Sequence, residues 1–226
     1  MTNQSCDIQA EMTREGEIRE QMAVYFLSVP PLEQQTEAQL KETRKRLRQL
    51  LAIENEAVIR AAGLTRPLSA GDLCGMLNSL LHACSIVARQ AGYPLSVHIE
   101  PGLDQPLYAA FEPRLMQMAV VGLIRAACAA NGKTPVTVSL YSGSNTVTVA
   151  ITGERPCDEE EALAVARETA RLHGGSLAIS QGTTGFSVRT TQPCTGGQFV
   201  YASSAELLDY MLSSVQVGLF SSLYEV

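Results

Sequence analysis

DEEEALAVARETARLHGGSLAISQGTTGFSVRTTQP, residues 158–193, carries more structural information than any other stretch of this chain. Ala162, Leu163, Ala166 and Ala170 recur at three- and four-residue spacing, the pattern of a helix with one buried face. Asp158 to Glu161 put carboxylates at the start of that helix, where they complement the positive end of its dipole. Gly174-Gly175 stops it, because a glycine free to take positive φ is the common helix terminator. Strands are expected at Ser176–Ser180 and Gly185–Thr191, joined by a glycine-containing turn. Gly182-Thr183-Thr184-Gly185, and the earlier Ser142-Gly143-Ser144, connect antiparallel strands and do not open helices. They read as hairpin turns and not as phosphate loops.

Working upstream, Val136–Tyr141 and Thr146–Thr152 alternate around an SGSN turn and form a hairpin. A helix is expected from Pro113, a good first helical residue, to about Ala130, where Asn131-Gly132 breaks it. Short strands fall at Leu95–Glu100 and Leu107–Ala110. Before them, Ser69 is expected to cap a helix, with Asp72 completing a capping-box variant. Its buried stripe is Leu73, Leu77, Leu80, Cys84, Val87 and Ala91, and Gly92 ends it. Downstream, a strand at Gln198–Ala202 precedes a last helix within 203–226. The fold class is therefore α+β, with helices on one face of a mixed sheet.

The first third is organised differently. Residues 1–13 read as a flexible tail, and 14–66 as a helical hairpin. One arm carries Ile18, Met22, Tyr25, Phe26 and Val29 and ends at Pro30-Pro31. The other runs from about Leu32 to Ala62, with Leu40, Leu47, Leu50, Leu51, Ala57, Val58 and Ala61 as its stripe. A hairpin cannot bury such a stripe alone, so pairing with a second copy into a four-helix core is expected. Its other face is basic, and Arg44, Lys45 and Arg48 form the expected interaction surface. Residues 67–202 make the second domain, reached through the Gly63–Pro67 hinge.

Bulk properties remove several function classes. A net charge of −6 and a pI near 5.1 give no basic footprint for nucleic acid. The longest apolar stretch, Met116 to Ala130, falls short of the roughly 18 residues needed to span a bilayer and contains Arg125. The polar, acidic amino terminus does not resemble a signal peptide. Cysteines 6, 74, 84, 128, 157 and 194 form no CxxC pair, and buried free thiols in a reducing compartment are the expectation. A cytoplasmic protein is expected.

The ordered series of helix, strand, helix, hairpin, helix, His-Gly-Gly-Ser and strand pair over residues 68–193 resembles the ATP-binding domain of sensor histidine kinases. The preceding hairpin resembles their dimerisation module. The resemblance implies ATP and magnesium as ligands, held in active kinases by two asparagines four apart on the second helix. Here Val121 and Arg125 stand at those positions. Valine offers no ligand, and a guanidinium cannot coordinate a cation, although it could contact a phosphate. The family's Asp-x-Gly-x-Gly turn is replaced by ITGERPC, with Gly153 where the adenine-reading Asp would be and Arg155 and Cys157 where the glycines would be. Between Pro156 and His173 there is room only for a helix, so the family's nucleotide lid is missing. The site positions implied by the resemblance are thus Val121, Arg125, Gly153, Arg155, Cys157, Gly174 and Gly175, with no bound cofactor expected.

Histidines point the same way. Residues 1–81 contain none, so the hairpin lacks the family's phosphoacceptor. His173 beside Gly174 reads as a cation complementing a helix end. His98 lies on a strand. His82 shares a helix face with Asn78, Ser85 and Arg89, which should leave it exposed. It is the candidate phosphoacceptor, though an ordinary surface histidine is the default.

The resulting expectation is a catalytically inactive histidine-kinase-like homodimer. It would act by protein–protein contact in two-component signalling, with a response regulator or partner kinase and without nucleic acid or membrane. Three alternatives stay open: a diverged histidine kinase that still binds nucleotide, a phosphotransfer protein using a histidine of the ATPase-like part, and a pure dimerisation fragment in which the last helix masks the vestigial site.

Overall fold

A computed structural model of the chain describes residues 68–192, together with Thr36, Ala38, Gln39 and Glu42. These two sets belong to separate compact units, each considered by itself. In the first unit Thr36 and Gln39 form a reciprocal capping box. The Thr36 N–H donates to Gln39 Oε1 at 2.9 Å, and the Gln39 N–H donates to Thr36 Oγ1 at 3.4 Å. Ala38, Gln39 and Glu42 are helical, which opens a helical turn inside the span expected at 32–62. The expected tail, first hairpin arm, basic residues Arg44, Lys45 and Arg48, strand 198–202 and last helix lie outside the described residues.

The second unit runs β1 (Ser69–Asp72), α1 (Leu73–Gln90), β2 (Leu95–Ile99), β3 (Tyr108–Phe111) and α2 (Pro113–Asn131). It continues with β4 (Val136–Ser142), β5 (Thr146–Thr152), α3 (Glu160–Leu172), β6 (Ser176–Ser180) and β7 (Thr183–Arg189). Five strands form one mixed sheet in the order β2-β4-β5-β7-β6. Among the described residues only β2 and β4 are parallel, with Leu95 opposite Val136 and Ile99 opposite Leu140. That pair needs a crossover, which β3 and α2 supply.

One segment departs from expectation. Ser69 does not cap a helix; residues 69–72 form β1, antiparallel to β3 in a separate two-stranded sheet, with Ser69 opposite Phe111 and Asp72 opposite Tyr108. The cap is Asp72, whose Oδ1 accepts from the Gly75 and Leu107 N–H groups at 3.0 Å each. One carboxylate oxygen thus ends a strand, starts a helix and fixes a distant loop. A cap search that prefers the first serine misses this, because the strand partner lies about 40 residues away. β7 also begins earlier than expected, at Thr183, because residues 183–184 pair with Thr152 and Ile151 of β5.

The core lies between the sheet and the helices. Leu73, Met76, Leu77, Leu80, Leu81, Leu115, Met116, Leu123, Phe111 and Phe186 are its largest fully buried side chains. Val138, Leu140, Val147, Val149 and Ile151 face them from the central strands. Cys74, Cys84, Cys128 and Cys157 are buried free thiols, as expected. Among the described residues no helix is long and apolar enough to cross a membrane.

Candidate functional site

Helix α2 presents the first two site positions. Pro113 opens it, and the Glu112 carboxylate accepts from the Leu115 N–H at 2.5 Å. Val121 and Arg125 then lie four apart on one face, and both are buried. The turn that follows β5 carries Gly153, Arg155 and Cys157, and α3 begins directly after it.

Arg125 is committed to a neighbour at the start of the next helix. Its guanidinium donates to the carboxylate of Glu159, forming an ion pair. The Arg125 side chain is 7% exposed and that of Glu159 29%. Glu159 occupies the N-cap position of α3 but makes no side-chain capping bond, since its carboxylate is turned to Arg125. Glu160 and Glu161 follow in the first turn. The acidic cluster therefore does more than compensate a dipole: one member neutralises a buried cation, which would otherwise cost several kcal/mol.

Helices α2 and α3 pack directly on each other. A methyl group placed on Gly122 would stand 3.6 Å from Cβ of Ala162, an ordinary van der Waals contact. Thr169 Oγ1 donates to the Leu115 carbonyl at 3.5 Å. At the far end the Glu112 N–H donates to Nε2 of His173 at 2.9 Å, while His173 Nδ1 stands 2.6 Å from the Thr169 carbonyl. The carbonyl can only accept, so Nδ1 carries the proton and Nε2 is bare. His173 is buried, and burial pulls its pKa below 6.5. The reading of His173 as a cation at a helix end is overturned: the ring is neutral and splints two helices.

The turn after β5 is braced by a residue absent from the expected set, Asn131. Its Oδ1 accepts from the Arg155 N–H at 2.9 Å, and its Nδ2 donates to the Arg155 carbonyl at 2.9 Å and to the Ala127 carbonyl at 2.8 Å. Gly153 lies so close that a Cβ there would stand 2.7 Å from the Asn131 amide. The Gly153 N–H donates to the Gly182 carbonyl at 2.8 Å, tying the turn to the β6–β7 loop. Cys157 is buried, with its N–H donating to Thr184 Oγ1 at 3.3 Å, and burial pushes its thiol up to about 11. The side chain of Arg155 is exposed. In sequence, Asn131-Gly132 signals only a helix end; nothing local marks the asparagine as a brace.

Gly174 and Gly175 serve backbone geometry. Gly174 sits at φ +62°, and a Cβ on Gly175 would lie 1.9 Å from the Ser187 carbonyl oxygen of β7. The remaining candidates lie elsewhere. His82 is exposed on α1 beside Ser85, Arg89 and β2, away from the α2–α3 pair, and His98 is exposed on β2. Among the described residues no group of three or more His, Cys, Asp or Glu side chains is placed to hold a metal ion.

No protein-family model and no curated protein matches the chain. Solved structures do. A histidine kinase of Acinetobacter baumannii, AdeS, superposes with a TM-score of 0.53 at 14% identity, over 82% of this chain and 98% of that one. The histidine kinase ThkA, solved in complex with the response regulator TrrA, gives 0.53 at 13% identity, over 83% of this chain and 60% of that one. Full-length ShkA, solved with AMPPNP, gives 0.52 at 13% identity, over 82% of this chain and 46% of that one. The fold is histidine-kinase-like.

Proposed function

We propose that this chain works as a histidine-kinase-like interaction protein in two-component signalling, without nucleotide chemistry at the α2–α3 site. The observation that carries the reading is the buried Arg125–Glu159 pair. An ATP–magnesium group does not fit the residues there. Magnesium needs oxygen ligands in near-ideal octahedral geometry. Val121 supplies none, and Arg125 supplies a cation already committed to a carboxylate. Glu159, Glu160 and Glu161 place further negative charge at the start of α3, where a polyphosphate would be repelled.

The partner proposed is a response regulator or an active kinase, by analogy of fold with ThkA and its bound TrrA. The chain would act as a homodimer through the 14–66 hairpin, with Arg44, Lys45 and Arg48 on the contact face. Calorimetric titration of the full chain with Mg·ATP tests the central point. No saturable heat is expected up to about 1 mM, a binding free energy near −4 kcal/mol. Saturable binding that disappears in Arg125→Ala would establish the diverged-kinase alternative instead. Exposure of His82 favours one second reading, phosphotransfer. Its mark would be acid-labile phosphate taken from a phosphorylated response regulator and lost in His82→Ala.

A further inference from the structure

A groove of about 540 Å³ runs between α1 and β2, lined by His82, Ser85, Arg89, Leu95, Ser96, Val97 and Ile99. It is separate from the α2–α3 site, and its chemistry is specific. Strand β2 is an edge of the five-stranded sheet. The Val136 N–H donates to the Pro94 carbonyl and the Glu100 N–H donates to the Leu140 carbonyl, both at 2.9 Å. Those bonds turn the even-numbered backbone groups of this segment toward β4. The N–H and C=O groups of Val97 and Ile99 therefore face away from the sheet and meet no strand among the described residues. An open edge of this kind is a template for another strand.

The helix side of the groove is cationic. Arg89 and His82 are exposed, and among the described residues no carboxylate lines the groove. Arg89 is held in place by its own helix: Nε donates to the Ser85 carbonyl at 3.2 Å and Nη2 to Ser85 Oγ at 3.3 Å. Ser85 Oγ in turn donates to the His82 carbonyl at 2.8 Å. These bonds draw the guanidinium back toward the turn that bears His82, and among the described residues neither charge-capable group has an acidic partner. On a chain of net charge −6 this is a local inversion of sign.

We infer that the α1–β2 groove receives an extended, acidic segment of a partner protein, which adds a strand to β2 and places a carboxylate against Arg89 and His82. Backbone bonds to Val97 and Ile99 would give affinity. The groove-facing side chains, every second residue of the incoming strand, would give selectivity: apolar beside Leu95 and Ile99, acidic beside Arg89. This holds whether or not the α2–α3 site takes nucleotide.

The test titrates the full ¹⁵N-labelled chain with a terminally blocked peptide, Thr-Val-Thr-Asp-Thr-Val-Thr, following amide shifts. Expected are saturable shifts at Leu95–Ile99 and along the His82–Arg89 face, with affinity about tenfold above that of the Asn-for-Asp peptide. Arg89→Gln, at an exposed position that leaves the fold intact, should erase the difference between the two peptides. Of two peptides N-methylated at alternate residues, the one blocked on the edge-facing register should lose binding and the other keep it. Equal affinity for the Asp and Asn peptides, shifts mapping elsewhere, or no saturation would overturn the inference. So would inorganic phosphate alone giving the same shifts at the same affinity, which would mark a small-anion site.

Discussion

Arg125, in the middle of α2, donates to the carboxylate of Glu159, the residue that immediately precedes α3, and so couples two helices through a pair that is nearly closed to solvent on the arginine side. The two partners do not contribute equally to what is lost when one is removed. Glu159→Leu strands a guanidinium whose side chain is 7% exposed, and should cost about 3 kcal/mol. Arg125→Met leaves a carboxylate that is 29% exposed and close to the positive end of α3, and should cost less than half as much. Urea unfolding of both variants measures the order. The reverse order would show that the pair is held by the packing of α3 and not by the charge of Arg125.

His173 makes stability depend on pH in a defined direction. Its folded pKa lies below 6.5 because burial disfavours the imidazolium. Above that value neither the folded nor the unfolded form binds the proton, and the full stability is present. As pH falls below 6.5 the unfolded chain takes up a proton that the folded chain refuses, so stability declines until the folded pKa is reached. The slope in this window should approach, and not exceed, about 1.4 kcal/mol per pH unit from this one group. Glu168, whose pKa is lowered by its bond to Arg171, loses its contribution only below the ordinary carboxylate value of 4.5, which separates the two effects. Denaturant midpoints between pH 7.5 and 5 should fall in the native chain and stay flatter in His173→Gln.

The two glycines of the HGGS string should respond very differently to a methyl group. Gly174→Ala meets a strained φ of +62° and the side-chain amide of Gln192, which can swing aside, so a cost of about 1–2 kcal/mol is expected. Gly175→Ala drives its Cβ to within 1.9 Å of the Ser187 carbonyl, which belongs to the β7 backbone. The strand must move, and about 3 kcal/mol or more should be lost. Thermal unfolding of the two variants gives the comparison.

The four described thiols should be inert in the folded chain. Burial pushes Cys74 to about 11, Cys128 to about 12 and Cys157 to about 11, and raises Cys84 as well. At pH 8 almost no thiolate is present at these positions, and thiolate is the species that alkylates. Iodoacetamide followed by peptide mapping should label them only after denaturant is added. Labelling of Cys84 or Cys128 in the native state would show that the core between α1 and α2 opens readily.

Local pattern alone carried most of the architecture. The 3.6-residue stripe of α3, the alternation of β4 and β5, the proline at the start of α2 and the glycines after α3 each report a conformation set within a few residues, and all appear where expected. The histidine-kinase-like scaffold followed from their order along the chain. The misreadings share one cause: Ser69 lies in a strand because Phe111 pairs with it, and His173 is neutral because Glu112 and Thr169 reach its ring from two helices. In each case the deciding partner is remote, and a free energy set by desolvation and hydrogen bonding overrides local preference.

Residue order was enough to establish most of the segments that become helix or strand, the glycine stop after α3, and that a valine and an arginine stand four apart on α2. It could not say that Arg125 would meet Glu159, that Asn131 would clasp Arg155, or that the edge of the five described strands would lie beside Arg89. Those depend on how α1 and α2 come to lie against α3 and the sheet. A charged or amide side chain acquires its role only when packing has removed water from one side and delivered a partner on the other.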